Sequence, residues 1–214
     1  GCPQLVEGYN RPMLFDGSSD YVQIADSAGY SAPLTPLTLS AWVYPTATQN
    51  AWATIMGKWD NNAAATKEWL FRYSDATEKL ELRLLDSGNN GSIIRTTSST
   101  ISQNAWTHVC VVYDGGTPSS SIKMYINGSL DASSVGSTSG LTFTTMTNTT
   151  ALLYVSALQE NTTPTVYADY KFTGIINECI IFNAELTAAD IAQLGATGPN
   201  GGPLPPNPMT MSYA

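Results

Sequence analysis

The 214-residue sequence has few charged side chains, a single histidine, three cysteines and no long apolar run. Nine Lys and Arg against seventeen Asp and Glu give a net charge of −8, and charged residues make up only 12% of the chain. Binding to phosphates needs clustered basic residues, so this composition argues against a nucleic-acid partner. No apolar run approaches the ~20 residues of a membrane-spanning helix, so we expect no membrane insertion.

The three cysteines show none of the C-x-x-C spacings of zinc or redox sites. Cys110 and Cys179 lie inside apolar, strand-like runs, which favours buried, unreactive thiols. A disulfide from Cys2 to one of them is the alternative. The scarcity of charge, with abundant Ser, Thr, Gly and Asn, is typical of an extracellular or particle-surface protein, and we expect that location.

Strand signals dominate what is present. Ten short segments rich in β-branched and aromatic residues are separated by turn residues, and they are YVQIA, LTLSAWVYP, ATIMGKW, EWLFRY, KLELRLL, SIIRTT, THVCVVYD, SIKMYING, ALLYVSAL and GIINECIIF. In KLELRLL the leucines at 80, 82 and 84 share one face, and Glu81 and Arg83 lie on a predicted wet face. In THVCVVYD both faces are apolar. A two-sheet, all-β sandwich satisfies both patterns.

One helix is predicted, near the C-terminus. NAELTAADIAQLG has apolar residues near helical spacing, Thr187 as N-cap and Gly195 as the stop. The proline-rich residues 197–214 follow, and they predict an arm whose stretch from 198 onward could contact a neighbouring subunit. The predicted organisation is an N-terminal extension, 1–12, a sandwich domain, 13–196, and this arm.

Six segments in order resemble the laminin G-like or concanavalin A-like lectin/glucanase family. They are MLFDGSSDYVQI, LTLSAWVYP, ATIMGKWD, NAWTHVCVVYDG, IKMYING and FTGIINECIIFNAELTAADIAQL. The resemblance implies an antiparallel jelly-roll β-sandwich with the N-terminal strand close to the last strand. Trp42 and Trp106 are then expected in or near the core.

The resemblance also implies a calcium site where those two strands meet. The matching positions are Asp16 and Asn177, and the family often has Asp where this chain has Asn177. Loss of that carboxylate weakens a calcium site, and Asp20 or Glu178 could compensate. The alternative is that Asp16 and Asp20 hydrogen-bond the backbone amides of their own turn.

The sequence gives little support for catalysis. His108 is the only histidine, and no nucleophile-elbow motif accompanies it. The E-x-D-x-x-E type of acid run that related sandwich glucanases carry is absent, and Glu81 near Glu78 has the pattern of a solvated strand edge. We therefore predict no catalytic residues and no enzyme activity.

Sugar recognition needs aromatic faces beside amides and carboxylates. The predicted ligand-binding residues come from loops and strand ends, and they are Trp52, Trp59, Asp60, Asn61 and Tyr167. The favoured hypothesis is a non-catalytic carbohydrate-binding or adhesion module, with calcium as its candidate cofactor and a glycan surface as its partner. The alternative is a structural component of an extracellular assembly, such as a virion surface or a filament.

Overall fold

The computed structural model describes residues 4–5, 12–27, 30, 36–46, 49–61, 66–86, 88, 90–132, 134–140, 142–160, 165–166, 168–199 and 209–210. Two antiparallel sheets account for most of them. Sheet I contains β1 (Gln4–Leu5), β2 (Met13–Asp16), β4 (Leu37–Pro45), β9 (Thr107–Tyr113), β10 (Ile122–Ile126), β11 (Ser129–Leu130), β16 (Thr173–Phe182) and β17 (Met209–Thr210). Its order is β1-β2-β16-β4-β9-β10-β11, and β17 also pairs with β16.

Sheet II contains β3 (Val22–Ile24), β5 (Trp52–Trp59), β6 (Lys67–Ser74), β7 (Lys79–Asp86), β8 (Gly91–Thr96), β12 (Val135–Gly140) and β13 (Leu153–Val155). Its order is β12-β8-β7-β6-β5-β13-β3. A separate two-stranded hairpin joins β14 (Gln159–Glu160) to β15 (Thr165–Val166). Each of the ten segments predicted from the sequence coincides with a strand of sheet I or sheet II, so the all-β sandwich prediction is confirmed.

The core lies between the two sheets. Alternate residues of each strand enter it, as the period-two geometry of a strand requires. Leu39, Ala41 and Val43 of β4 face Leu80 and Leu82 of β7 across this core, and all five are at most 1% exposed. Trp42 is buried on the other side of β4, and Trp106 is half-buried beside Tyr44.

The helix α1 (Ala188–Ala196) covers the outer face of sheet I. Thr187 caps it as predicted, because its side chain accepts from the Asp190 amide and the Asp190 carboxylate accepts from Thr187 in return. The prediction that Gly195 ends the helix is wrong, since α1 continues to Ala196. Gly195 instead allows close packing, because a Cβ there would lie 2.6 Å from the Gly128 nitrogen.

The helix seals an apolar cluster against the sheet. Its members are Cys110, Val112, Tyr125, Ile180, Phe182, Leu186, Ile191 and Leu194. Cys110 and Cys179 are both free and buried, and burial raises the pKa of both thiols, that of Cys179 to about 12. The expectation of buried, unreactive thiols is confirmed for these two; Cys2 lies outside the described residues.

The described residues near the end of the C-terminal arm pair with a strand of their own chain. Met209 and Thr210 of β17 pair with Ile181 and Ile180 of β16. The described part of the chain contains no helix with the length and apolarity that crossing a bilayer requires.

Candidate functional site

The outer face of sheet II carries charged side chains and aromatic rings beside a small apolar cluster of Trp59, Leu70, Leu85 and Leu158. We call it the charged face, and it consists of Trp52, Trp59, Lys67, Arg72, Glu81 and Arg83. On β7, Leu80, Leu82 and Leu84 point into the core, so Glu81 and Arg83 point outward. The interpretation of Glu81 as part of a solvated strand edge is wrong. β7 lies between β6 and β8, and Glu81 is only 7% exposed.

An ion pair stands at the centre of the charged face. Arg72 donates from Nε and Nη2 to the same oxygen of Glu81, at 3.0 and 2.6 Å. The two residues are cross-strand partners, and the guanidinium also stacks on the Trp52 ring with 3.7 Å to its centroid. Burial lowers the pKa of Arg72, whereas the Glu81 carboxylate acts in the opposite direction. Stacking and pairing together therefore fix this guanidinium.

Arg83 is a partly exposed cation beside that pair. Its side chain is 32% exposed, and its Nε lies 3.9 Å from the Glu81 oxygen that Arg72 already uses. The Nε atom is buried and has no hydrogen-bond partner among the residues that the structure describes. A guanidinium carries five N–H donors, so a ligand would reach Arg83 through the exposed part of its side chain and not through the buried Nε.

Lys67 completes a local excess of positive charge. Its ammonium lies 5.4 Å from the centroid of the Trp59 ring, and the Arg83 guanidinium lies 6.0 Å from the same centroid. Burial is the main cause that lowers the pKa of Lys67, Asp60 opposes it, and Arg83 lowers it further. In a chain of net charge −8, this face thus concentrates three cations around two tryptophans.

The predicted ligand-binding residues fall at two ends of β5. Trp52 begins the strand and is half-buried, whereas Trp59 ends it at 4% exposure, about 20 Å away along the strand. Asp60 is buried in a bridge to Gln159, and half-buried Asn61 donates its backbone amide to the Gln159 carbonyl. Tyr167 lies outside the described residues. The structure thus groups Trp59, Asp60 and Asn61 and separates Trp52 from them.

Sequence reasoning missed Arg72, Glu81 and Arg83 as site residues. The signal was available in the two strands, because Arg72 and Glu81 are nine residues apart on either side of a short turn. Antiparallel pairing around that turn places them opposite each other.

The predicted metal ligand Asp16 is the last residue of β2 and begins a tight turn. Its Oδ1 accepts from the backbone amides of Ser18, Ser19 and Asp20, at 2.8, 2.7 and 3.0 Å. Its Oδ2 accepts from the hydroxyls of Ser18 and Ser19. Hydrogen bonding to the charged form, first from Ser19, holds the pKa of Asp16 far below its usual range. Both oxygens are therefore engaged inside the turn.

The carbonyls of this turn are engaged as well. Lys171, only 5% exposed, donates from Nζ to the Ser18 carbonyl at 2.6 Å. Asn50 donates to the Gly17 carbonyl at 3.0 Å. Calcium prefers six to eight oxygens, and these oxygens already bind an ammonium, an amide and the turn itself. The residues present at this turn do not fit a calcium ion.

The third predicted ligand is not near this turn. Asp16 pairs with Thr173 on β16, whereas Asn177 lies four residues further on, about 13 Å along the strand. The Asn177 amide donates instead to the Pro199 carbonyl. In the described part of the chain no group of three or more His, Cys, Asp or Glu is placed to hold a metal ion. A cleft of about 420 Å³ adjoins the turn, lined by Leu14, Phe15, Asp16, Asp20, Thr46, Thr173 and Gly174.

His108 contacts a serine, and the pair is too deeply buried for a substrate to reach it. Its Nε2 lies 2.9 Å from Ser40 Oγ, and both residues are at most 2% exposed. Its Nδ1 has no hydrogen-bond partner within the described ranges, so no carboxylate orients the ring there. Burial lowers the pKa of His108 to about 4. This pair therefore lacks the accessibility and the orienting acid of a nucleophilic site.

Two stacked antiparallel sheets with one peripheral helix define the lectin-like jelly-roll class. Residues 16–192 match the concanavalin A-like lectin/glucanases superfamily, and the chain belongs to that family. The resemblance seen in the sequence is thereby confirmed. A sequence search among curated proteins finds no match.

Solved structures share this fold at low sequence identity. The binding domain of Paraclostridial Mosquitocidal Protein 1 is 16% identical, with a TM-score of 0.64 over 90% of this chain and 45% of that one. The Ruminococcus gnavus IT-sialidase CBM40 bound to α2,3-sialyllactose is 13% identical, with a TM-score of 0.57 over 83% and 97%. A Trypanosoma rangeli sialidase is 13% identical, with a TM-score of 0.57 over 89% and 28%. The chain thus spans less than half of the mosquitocidal binding domain.

Proposed function

We propose that this chain is a non-catalytic carbohydrate-binding module of an extracellular or surface protein, and that the charged face binds an acidic sugar. The observation that carries the proposal is Arg83, a cation whose side chain is 32% exposed beside the paired Arg72 and Glu81. A sugar carboxylate would accept from Arg83, because Arg and carboxylate form charge-assisted hydrogen bonds. Support also comes from the fold, which the sialyllactose-bound CBM40 shares.

The aromatic residues supply the second half of sugar recognition. Trp52 is half-buried and stacks one side of its ring on Arg72, which fixes its orientation. A rigid aromatic ring offers apolar surface to the C–H groups of a sugar at little cost in conformational entropy. The face thus combines a fixed ring with a cation, which suits a carboxylated sugar better than a neutral one.

The test is a calorimetric titration of the purified chain with α2,3-sialyllactose and, as the neutral comparison, lactose. We expect sialyllactose to bind and lactose to bind at least tenfold more weakly. Arg83→Ala should reduce the affinity for sialyllactose about tenfold, equivalent to about 1.4 kcal/mol. Lys123→Ala is the matched control, because Lys123 is a cation on sheet I, paired with Glu185 at 2.7 Å and 42% exposed.

Two outcomes would contradict the proposal at different levels. Equal affinities for lactose and sialyllactose would overturn the acidic sugar but leave a carbohydrate-binding module. If the protein binds no glycan on a broad array, carbohydrate binding itself is overturned.

The role as a structural component of an assembly stays the alternative hypothesis. It depended on the stretch 198–214 contacting a neighbour, whereas Met209 and Thr210 pair with β16 of their own chain. Light scattering on a chain shortened after Thr197 tests it. Loss of an oligomer that the full chain forms would favour assembly, and an unchanged mass would remove its support.

A further inference from the structure

A lysine lies between two carboxylates at one end of the sandwich. The Lys58 side chain is 0% exposed, and its Nζ lies 2.5 Å from Asp26 Oδ1 and 3.1 Å from Glu68 Oε1. Glu68 is also 0% exposed, whereas the Asp26 side chain is 34% exposed. One amine and two carboxyl groups are thus held together, and of these three side chains only that of Asp26 is exposed to water.

The surroundings of this cluster are apolar and fixed. Lys58 has Trp69 and Leu153 as its strand partners, both 0% exposed, and the Tyr30 ring lies 5.7 Å from Nζ. Thr149 donates to Glu68 Oε1 from its amide at 2.9 Å and from its hydroxyl at 2.8 Å. The Glu68 carboxyl therefore has one defined position next to the amine.

We propose that Lys58 and Asp26 are a covalent modification site, at which the folded chain forms an amide bond between Lys58 Nζ and Asp26 Cγ. The Nζ lone pair attacks Cγ, and one Asp26 oxygen leaves as water with two protons that Nζ gave up. An ammonium and a carboxylate become one neutral amide and one water, so atoms and charge balance and no co-reactant is needed. Glu68 takes the proton from Nζ, passes it to the departing oxygen and ends in its original state.

Three physical effects favour this reaction here. Fixed neighbours within one fold react as if at an effective concentration of about 10⁵–10⁸ M, which offsets the unfavourable condensation in water. Charges buried among apolar groups are costly, and the reaction removes one pair of them. The exposed side of Asp26 gives the product water a way out.

The bond would act as a covalent staple across sheet II. Asp26 follows β3, Lys58 lies in β5, and β13 separates these strands in the sheet. The bond would close a loop between residues 32 apart in sequence. Cys110 and Cys179 are free, so this link would supply a constraint that these two cysteines do not.

Denaturing mass spectrometry on the purified, full-length protein decides the proposal. We expect an intact mass lower by one water than the sequence requires. Trypsin should fail to cut after Lys58, because an acylated lysine is not a substrate. Arg11 is the one basic residue before Lys58 and is followed by Pro12, so residues 1–67 should be released as one peptide that lacks one water. Chymotrypsin, which cuts between the two residues, should release one branched peptide that contains both. An intact mass equal to that of the unmodified sequence, together with a trypsin cut after Lys58, would overturn the proposal.

Three variants assign the roles, and a fourth is the control. Lys58→Met and Asp26→Ala should restore the full mass, and the control Lys123→Met, which alters an exposed lysine of an ion pair, should keep the deficit. Glu68→Gln keeps both reacting residues and should slow the loss of water at least tenfold after refolding. An unchanged rate would overturn the assignment of Glu68. The measurement on the wild-type protein stands even if a variant does not fold.

Discussion

The outer faces of the two sheets differ in how they are covered. The face of sheet I is closed by α1 over an apolar cluster, and Ser40 and His108 lie buried in contact with each other on that face. The charged face of sheet II keeps a half-exposed arginine beside its central ion pair. The first face is covered by the chain's own helix, whereas the second leaves the Arg83 side chain 32% exposed. This difference in cover supports the proposal that the ligand binds on sheet II.

The largest expected effect comes from breaking the central pair of the charged face. Glu81→Gln removes the carboxylate that neutralises nearly buried Arg72, and loss of one partner of a buried pair costs about 3–5 kcal/mol in the free energy of unfolding. Urea denaturation measures it. Glu185→Gln is the control in an exposed pair and should cost less than about 1 kcal/mol. Equal costs for the two variants would contradict the difference between the faces.

The burial of His108 beneath the closed face of sheet I can be tested by the pH dependence of stability. Its pKa is about 4 in the folded protein, so the unfolded chain, with a pKa near 6.5, binds more protons between these values. Stability is therefore complete above about pH 6.5 and falls by about 3 kcal/mol as the pH drops to about 4. Denaturant unfolding of the wild type and of His108→Gln across this range measures it. The variant should lack this slope, and an identical slope in both proteins would contradict the burial of His108.

Ile191→Ala probes the helix that closes sheet I. Ile191 is 0% exposed, and truncating it should cost about 2–3 kcal/mol, since a short surface helix can shift to fill part of the cavity. Binding of sialyllactose should not change, because the proposed ligand site lies on the other sheet. A loss of affinity in a variant that is still folded would indicate that the ligand binds on sheet I and would contradict the proposed site on sheet II.

The sequence predicts which residues of the central strands face the core, but it does not predict every strand or contact. The alternation in β4 and β7 predicts their inward residues. Strand β12 was not predicted, because it lies at the edge of sheet II, where Val135 and its neighbours are exposed and show no apolar alternation. The Arg72–Glu81 pair was within reach, since a short turn fixes its register. The contact of Lys171 with Ser18 was not, because it joins residues 153 apart and depends on the finished fold.

Arg83→Ala should separate binding from stability. Arg83 is 32% exposed and makes its nearest carboxylate contact at 3.9 Å, so its removal should change the free energy of unfolding by less than about 1 kcal/mol. A larger destabilisation in urea would mean that Arg83 is a structural residue, and the loss of glycan affinity would then need another explanation.

Calcium should have the smallest effect. The oxygens of the Asp16 turn bind Lys171, Asn50 and the turn amides, so we expect equal melting temperatures with calcium and with a chelator. Differential scanning calorimetry measures this. A rise of several degrees with calcium would show that the Lys171 ammonium leaves the turn and that the expectation drawn from the resemblance holds.

The most direct test maps the ligand on the folded protein by amide chemical shifts during a titration with α2,3-sialyllactose. We predict that the changes concentrate on β6 and β7 around Arg72 and Arg83, and that α1 and the Asp16 turn stay silent. Changes confined to the cleft beside Asp16 or to the helix would contradict the assignment of the charged face as the binding site.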